Sequence, residues 1–402
     1  MALRDQPRVA IGTMVLTRVV LADFRSYVTA ELEPDVGLTV VSGPNGTGKT
    51  NLLEAVYATI IGRSHRAAAD AELVRHGAAF GRVRLELAGG TAASGSTIEL
   101  VVPGQSPPDG LRKRLTLNGV PRRPTAVSEL ARVVLFRPEE MLLLVGSPGE
   151  RRRFLDVIVA QRDRKAANDL VEAARVIAQR NALLRAIRAE EAAIDSLGFW
   201  DEQLALTGAR VMRARLGVLA DLATRIGPLH DAVAGSVASG SGVRLAYLDA
   251  LKEAWPGRRP LGTPLPEPDE LASAYRRRIA DLRAKEAWNG VSLVGPQRDD
   301  LRVDLDERDV SVHASRGQQR TIILALKLAE TDLLGEGGPR PIVLLDDVFS
   351  ELDPDRAIRL SELLAGRGQV IVTTADPGAI EGARQRDAAV WRIADGRLVR
   401  SP

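Results

Sequence analysis

The sequence predicts an α/β fold that binds phosphate through a glycine-rich loop and carries an inserted helical arm. Three observations support this fold class. A glycine-rich loop lies between a strand and a helix near residue 45, helical periodicity begins at about residue 150, and buried strands return after residue 291. The loop and the later strands are both needed for one nucleotide site, so the helical region must be an insertion.

The glycine-rich loop matches the phosphate-site spacing G-x-x-x-x-G-K-S/T. An apolar run at 38–41 precedes it and a helical pattern at 51–57 follows it. An ordinary glycine turn is the alternative, and the three fixed residue types argue against it. In a phosphate loop, backbone N–H groups bind phosphate oxygens, the lysine reaches the terminal phosphates, and the hydroxyl binds Mg²⁺. The loop residues are Gly43, Pro44, Asn45, Gly46, Thr47, Gly48, Lys49 and Thr50.

The composition is that of a globular protein without disulfides. The 402 residues include no Cys, 45% apolar residues and 27% charged residues. The sequence has no apolar run of about 20 residues, the length that a membrane span needs, and no signal peptide. We therefore expect a cytoplasmic protein without a membrane partner. Residues 1–13 are predicted to be a leader, either disordered or upstream of a true start at Met14.

The inserted arm is predicted from helical spacing. Apolar residues recur every three or four positions between 170 and 187, and every seven positions at Leu204, Val211 and Val218. Gly198 lies between the two segments and marks a reversal. The arm is either a short coiled coil or a plain helical bundle, because two or three heptads are too few to distinguish these two structures. Five prolines in 256–268 indicate a linker, and a helix returns at 271–287.

Strands flank the arm on both sides. Before the arm, strands are predicted at 83–87, 97–102 and 112–118. After it, 341–347 and 369–374 are apolar runs without alternation, which is typical of central parallel strands. A terminal hairpin is predicted from 391–399, with Asp395 and Gly396 in its turn.

The strand at 341–347 ends in two carboxylates. Asp346 is placed to hold Mg²⁺ together with Thr50, and Asp347 to position or deprotonate the attacking water. A helix cap or a surface turn is the alternative interpretation of this pair. A phosphate loop in the same chain favours the metal site, because loop and carboxylate act together.

Further motifs resemble those of ABC-type ATPase heads of the SMC and Rad50 class. The resemblance implies an ABC-type P-loop ATPase head with an inserted helical arm, and predicts ATP and Mg²⁺ as cofactors. The predicted segments are head parts at 14–149 and 291–402 and the arm at 150–290, whereas the predicted leader at 1–13 matches nothing in that class. Thr374 matches the switch position and, with Asp347, is predicted to be catalytic. The signature motif is Ser315, Arg316, Gly317 and Gln318, and the D-loop is Ser350, Glu351, Leu352 and Asp353.

Within that class the chain resembles the RecF family from about residue 14 to its end. Two positions depart from the expected pattern: Gln297 stands where the family has His, and Arg316 replaces the first glycine of the general signature. The segments that carry the resemblance are 21–27, 43–50, 62–66, 146–156, 294–301 and 346–353.

The resemblance implies an ATP-gated homodimer in which each signature motif contacts the nucleotide of the other chain. It also implies a role in recombinational DNA repair and replication, slow DNA-stimulated ATP hydrolysis, and the mediator protein RecR as a partner. Transporter-type ATPases and nuclease-linked ATPase heads are rival classes. The first lacks such an insert, and the second needs an additional acidic metal cluster.

Arginine clusters predict contacts with duplex DNA, including single-strand/duplex junctions. Aromatic residues are only 3% of the chain, which favours phosphate contacts over base stacking. A solvated face is the alternative for each cluster. The clusters at 151–153 and 276–278 are weaker candidates. The predicted DNA contacts are Arg112, Lys113, Arg114, Arg122 and Arg123.

Overall fold

The computed structural model describes residues 14–89, 95–235, 242–251, 264–376, 378, 388–394 and 397–401. The chain divides into two compact units. The head unit contains residues up to 140, 232–236 and 327–402, and the arm unit contains 141–231 and 237–326.

The strands of the described ranges follow the chain in this order: β1 (Met14–Phe24), β2 (Tyr27–Leu32), β3 (Leu38–Ser42), β4 (Phe80–Gly89), β5 (Ser96–Pro103), β6 (Arg114–Leu117), β7 (Val120–Pro121), β8 (Val133–Phe136), β9 (Arg244–Leu248), β10 (Asp300–Leu305), β11 (Arg308–Asp309), β12 (Ile342–Asp346), β13 (Gln369–Thr374), β14 (Ala389–Ala394) and β15 (Arg397–Arg400).

The α-helices of the same ranges are α1 (Lys49–Ile61), α2 (Leu142–Val145), α3 (Pro148–Arg162), α4 (Arg164–Arg188), α5 (Gly198–Ala234), α6 (Pro268–Asn289), α7 (Val310–His313), α8 (Arg316–Gly335) and α9 (Pro354–Leu364).

The head unit contains a mostly parallel sheet in the order β15-β14-β3-β13-β12-β8. Strands β8, β12, β13, β3 and β14 run parallel, and β15 pairs antiparallel with β14. All five residues of β12 and all six of β13 are buried, as expected for central strands covered on both faces. The carboxyl ends of β3, β12 and β13 therefore meet at one edge.

A second sheet of the head unit is antiparallel, in the order β2-β1-β4-β5-β6-β7. Its strands alternate buried and exposed residues, most clearly in β4, which is the pattern of a sheet with one face on a core. Helix α1 contacts strands of both sheets. It is largely buried, and its apolar residues share one core with the two sheets.

The arm unit combines helices with a small sheet, β11-β10-β9. Helices α4, α5 and α6 contribute to one apolar core, so the third helix makes this a bundle rather than an isolated two-stranded coil. Arg180, fully buried on α4, donates to Asp201 of α5 at 2.8 Å and to Glu286 of α6 at 2.6 Å. This network joins the three helices.

The compact units do not coincide with the predicted segments, because residues 291–326 group with the arm. Strand β10 pairs with β9 of the arm unit, and two ion pairs add to this grouping. Arg151 of α3 donates to Asp300 at 2.6 Å, and Arg215 of α5 lies 3.5 Å from buried Asp299. Burial raises the pKa of Asp299 to about 6, although Arg215 and Tyr247 act against it.

Several predicted elements differ in extent. The predicted strand at 112–118 is shorter in the structure, because β6 begins at Arg114. The reversal of the arm occupies 189–197, between α4 and α5, just before Gly198. Residues 1–13, most of the proline-rich linker and the turn at 395–396 lie outside the described residues. Within the described ranges, no helix combines the length and apolar character that crossing a bilayer requires.

Candidate nucleotide-binding site

The phosphate loop connects β3 to α1 at the edge where parallel strands end. The Gly43 N–H donates to the Thr374 carbonyl at 3.2 Å, which fixes the start of the loop to β13. Gly48 has φ 107°, and a Cβ there would lie 2.8 Å from the Ser26 hydroxyl oxygen. Only glycine fits this backbone without strain. The next residue, Lys49, begins helix α1.

Lys49 lies across the loop. Its Nζ donates to the carbonyl oxygens of Gly43 at 2.7 Å and Pro44 at 2.9 Å. Burial lowers the pKa of Lys49, and the nearby carboxylates of Asp347 and Asp346 act against that shift. The lysine charge is therefore held between the loop and the two carboxylates, where a phosphate would need it.

Asp346 is the last residue of β12 and is buried. One carboxylate oxygen accepts a hydrogen bond of 2.7 Å from the Thr373 hydroxyl of the neighbouring strand. This bond orients the carboxylate at the edge shared with the loop. Thr50 is the second residue of α1, and its hydroxyl oxygen is the other predicted Mg²⁺ ligand. A carboxylate and a hydroxyl are a suitable donor set for Mg²⁺.

Asp347 follows in a left-handed backbone conformation, with φ 52°. Its N–H donates to the Thr373 carbonyl at 3.0 Å, and its carbonyl accepts from the Ser350 hydroxyl at 2.7 Å. The Ala375 N–H lies 3.4 Å from one carboxylate oxygen. The backbone is thus fixed while the side chain stays partly exposed, as a group that handles water requires.

Thr374 ends β13 and is fully buried. Its hydroxyl donates to the Asp376 carbonyl at 2.9 Å and accepts from the Asp376 N–H at 3.1 Å. The residue therefore connects the end of β13 to the following turn, while its carbonyl holds Gly43. Its assignment to the switch position stays a prediction.

The predicted D-loop follows the carboxylates. Residues 349–351 form a single 3₁₀ turn. Asp353 caps α9, because its carboxylate accepts from the Arg356 N–H at 2.9 Å. Ser350, Glu351 and Asp353 are exposed, so three of the four motif residues are accessible.

A brace beneath the phosphate loop was not predicted from the sequence. Residues 25–27, at the turn between β1 and β2, contact the end of the loop and the first turns of α1 at positions 48, 51 and 54. The Tyr27 hydroxyl donates to the Gly48 carbonyl at 3.0 Å, and Asn51 donates to the Ser26 hydroxyl at 2.8 Å. Arg25 completes the brace with a two-pronged contact to Glu54, at 2.8 and 2.7 Å.

Glu54 is the centre of this brace and is 0% exposed. It accepts from Arg25, from Arg66 at 2.6 Å and from the Ser64 hydroxyl at 2.6 Å. Burial alone would raise its pKa, but hydrogen bonds from Arg25, Arg66 and Ser64 outweigh burial and lower the pKa to about 2. A signal was present, since a glutamate inside an otherwise apolar helical run must find cationic partners.

The predicted signature residues belong to the arm unit. Ser315 precedes α8, and Arg316 and Gly317 are its first two residues. The Ser315 N–H donates to the Gln318 side-chain oxygen at 2.8 Å, and the Gln318 N–H donates to the Ser315 hydroxyl at 3.3 Å. Ser315, Arg316 and Gln318 are exposed, in contrast to the residues at the sheet edge.

The structure separates the arginine clusters into paired and unpaired groups. Lys113 pairs with Asp70 at 2.6 Å. Arg151 is held by Asp300 at 2.6 Å, and Arg276 by Glu202 at 2.8 Å. Among the predicted DNA contacts, four side chains have no hydrogen-bond or ion-pair partner within the described ranges: those of Arg112, Arg114, Arg122 and Arg123.

Sequence comparisons connect this site to known proteins. The family described as RecF/RecN/SMC N terminal domain matches residues 15–395. The DNA replication and repair protein RecF of Streptomyces avermitilis is 39% identical over 383 residues, covering 92% of this chain and 97% of that protein. The RecF protein of Kineococcus radiotolerans is 39% identical over 384 residues, with 92% and 95% covered.

Structural comparisons agree over almost the whole chain. A structure of the recombination mediator protein RecF with ATP, in the RecFOR pathway, has a TM-score of 0.84 at 26% identity and covers 98% of this chain and 99% of its own. An Smc head bound to the C-winged helix domain of ScpA has a TM-score of 0.53 at 14% identity, covering 96% and 97%. The second likeness concerns the fold alone.

Proposed function

Because this chain belongs to the RecF family, we propose that it is an ATP-dependent DNA-binding protein of recombinational DNA repair and replication-fork maintenance. The observation that carries the proposal is the edge of the parallel sheet, where the phosphate loop lies beside Asp346 and Asp347. Relatives named RecF that align with 92% of the chain support the biological assignment. A RecF structure with ATP and the same fold supports ATP as the nucleotide.

Each residue at this edge has a task in ATP hydrolysis. The loop N–H groups and Lys49 bind the phosphates, and Thr50 and Asp346 would hold Mg²⁺. When bound, Mg²⁺ neutralises charge that develops on the phosphate oxygens. Asp347 orients the attacking water or accepts its proton. We expect slow hydrolysis that DNA stimulates and that ends an assembled state.

We propose that a second copy of the chain completes the site, and the exposure of the signature residues supports this proposal. In the proposed homodimer, Ser315 and the first N–H groups of α8 contact the γ-phosphate bound by the partner chain. A helix N-terminus is a favourable anion contact. Because only ATP carries that phosphate, dimer formation depends on ATP, and hydrolysis reverses it.

The unpaired arginine side chains support a proposed DNA-binding surface. Arg114 lies on β6, Arg112 lies just before it, and Arg122 and Arg123 follow β7. We propose that this basic edge contacts the phosphates of duplex DNA at gaps or junctions. By family resemblance, the dimer then cooperates with RecR to load a recombinase on single-stranded DNA in the cytoplasm.

Sedimentation with and without ATP and duplex DNA tests this proposal. We expect a monomer without nucleotide, a dimer with ATP, and a larger complex only when ATP and duplex are both present. A salt titration on two unrelated duplexes should give equal affinities and a log–log slope of about −0.9 per phosphate contact. Salt-insensitive binding, or a monomer at saturating ATP, would contradict the proposal.

A further inference from the structure

We propose that Gln318 acts on nucleotide only through Ser315: it is a positioning residue that holds the signature serine, and it does not itself touch ATP. This inference rests on the proposed ATP-gated homodimer and assigns a role within its signature motif. The observation behind it is the pair of reciprocal hydrogen bonds between the two residues.

The two hydrogen bonds form a capping box at the start of α8. The Gln318 side-chain oxygen accepts from the Ser315 N–H at 2.8 Å, and the Ser315 hydroxyl oxygen accepts from the Gln318 N–H at 3.3 Å. Such a box appears when Ser or Thr is followed three positions later by Glu or Gln. The spacing of Ser315 and Gln318 fulfils this rule.

The hydrogen-bonding capacity of serine determines the consequence. A hydroxyl has one donor and two acceptor positions. The Gln318 N–H occupies an acceptor position, so the hydroxyl proton of Ser315 stays free to donate to a phosphate oxygen. The box also uses the Gln318 N–H, which leaves the N–H groups of Arg316 and Gly317 as the free donors of the first turn.

A second contact fixes this turn from the buried side. The side chain of Gln319, which is buried, donates to the Val310 carbonyl of α7 at 3.1 Å. Gln319 thus attaches the first turn of α8 to α7, and Gln318 orients the serine on the exposed side. The two adjacent glutamines therefore have different tasks.

The alternative is that Gln318 binds the partner's ATP directly, and charge distinguishes the two roles. Glutamate at 318 keeps an acceptor for the Ser315 N–H and so keeps the capping box. It also introduces a negative charge, which a residue in contact with a triphosphate would not tolerate. Methionine at 318 has similar length and helix propensity but lacks the acceptor.

The experiment compares Gln318→Glu and Gln318→Met by sedimentation across a range of ATP concentrations. We expect Gln318→Glu to dimerise within about threefold of the wild type. Loss of a cap is expected to weaken each signature contact about fivefold. Because the symmetric dimer uses the contact twice, the dimer dissociation constant of Gln318→Met should rise about 25-fold. ATP binding by the monomer should stay unchanged in both.

A double variant separates positioning from simple helix stabilisation. The Gln318 side chain fixes Ser315 through the Ser315 N–H. If this contact serves to place the serine hydroxyl, Ser315→Ala combined with Gln318→Met should match Ser315→Ala alone within about twofold in the dimer dissociation constant. Additive effects would overturn the proposal, and so would a Gln318→Glu dimer weaker than the Gln318→Met dimer. A wild-type protein that stays monomeric with ATP would instead refute the proposed function, and this inference would fall with it.

Discussion

The two surfaces proposed to meet at ATP differ in how much of their geometry the chain supplies by itself. At the sheet edge of the head unit, Lys49, Asp346 and Thr374 are buried and hydrogen-bonded. In the signature of the arm unit, Ser315 and Arg316 are exposed, and the capping box is formed within the motif. The side chains of the sheet edge are thus held in place within one chain, whereas the signature residues are exposed and available to a second chain. Substitutions at the edge should therefore affect the monomer, and those in the signature only the dimer.

The largest expected effect follows Lys49→Met. The loss of a cation with charge-assisted hydrogen bonds should weaken ATP binding at least about 100-fold, and dimerisation and hydrolysis should be lost with it. Calorimetric titration of ATP into the monomer measures the affinity. Lys165→Met, at an exposed position of α4, is the matched control. Equal affinities in both variants would remove Lys49 from the site.

Asp347→Asn should separate binding from hydrolysis. We expect ATP binding and dimerisation to persist, while the hydrolysis rate falls about 10²–10⁴-fold, the typical effect of losing a general base or water-orienting group. The DNA-bound dimer should accumulate as a result. Steady-state phosphate release is the measurement, and Asp355→Asn on the exposed side of α9 is the control. An unchanged rate would place water activation elsewhere.

Ser315→Arg tests the exposed signature. A bulky cation at the exposed serine should fill the space of the partner's phosphate contact and also remove the hydroxyl that accepts from the Gln318 N–H. Monomeric ATP affinity should stay at the wild-type value, and the ATP-dependent dimer should be absent at concentrations about tenfold above the wild-type midpoint. Normal dimerisation of this variant would contradict the contact in trans.

Glu54→Gln tests the brace under the loop. Its depressed pKa of about 2, against 4.5 for an ordinary glutamate, means that the ionised form stabilises the folded state. That contribution, about 3 kcal/mol, is present above pH 4.5 and is lost as pH falls from 4.5 to 2.

We expect Glu54→Gln to lower the unfolding free energy by about this amount at pH 7, because two arginines lose their buried counter-ion. The difference from wild type should shrink toward pH 2 in acid unfolding curves. Glu31→Gln, which breaks the exposed pair with Arg18, should change stability by less than about 1 kcal/mol. A pH-independent difference for Glu54→Gln would exclude this electrostatic explanation.

The smallest expected effect concerns the basic edge. Arg114→Glu should reduce the salt slope of duplex binding by about 0.9, the contribution of one phosphate contact, and leave ATP-dependent dimerisation intact. Arg276→Glu is a control on the arm, where the arginine already pairs with Glu202. If the control changes the slope and Arg114→Glu does not, the DNA surface lies on the arm.

Sequence reasoning succeeded where the signal is local. The phosphate loop and the strand ending at Asp346 are each a single continuous segment of the sequence. The apolar residues of the strands at these sites predict that the strands are buried. Residues whose role depends on distant partners were missed. Arg25 reaches Glu54 across 29 residues, and Arg151 reaches Asp300 across 149. No periodicity reveals such pairs: a buried Glu54 signals a need for cationic partners without identifying them, and no local signal groups 291–326 with the arm. The helix predicted at 271–287 is present as α6, but its packing against α4 and α5 was not predicted, because a helical stripe does not identify the helix it packs against.

The left-handed backbone of Asp347 restricts which residues can occupy this position. With φ 52°, most side chains would be strained, and Asn and Asp are the non-glycine types that tolerate the conformation best. The role proposed for this residue in activating water requires a carboxylate, which excludes Asn and Gly. The backbone conformation and the proposed reaction thus restrict this position independently, and aspartate meets both requirements. A longer carboxylate would keep the charge but strain the turn, so Asp347→Glu should reduce stability as well as rate, whereas Asp347→Asn reports on chemistry alone.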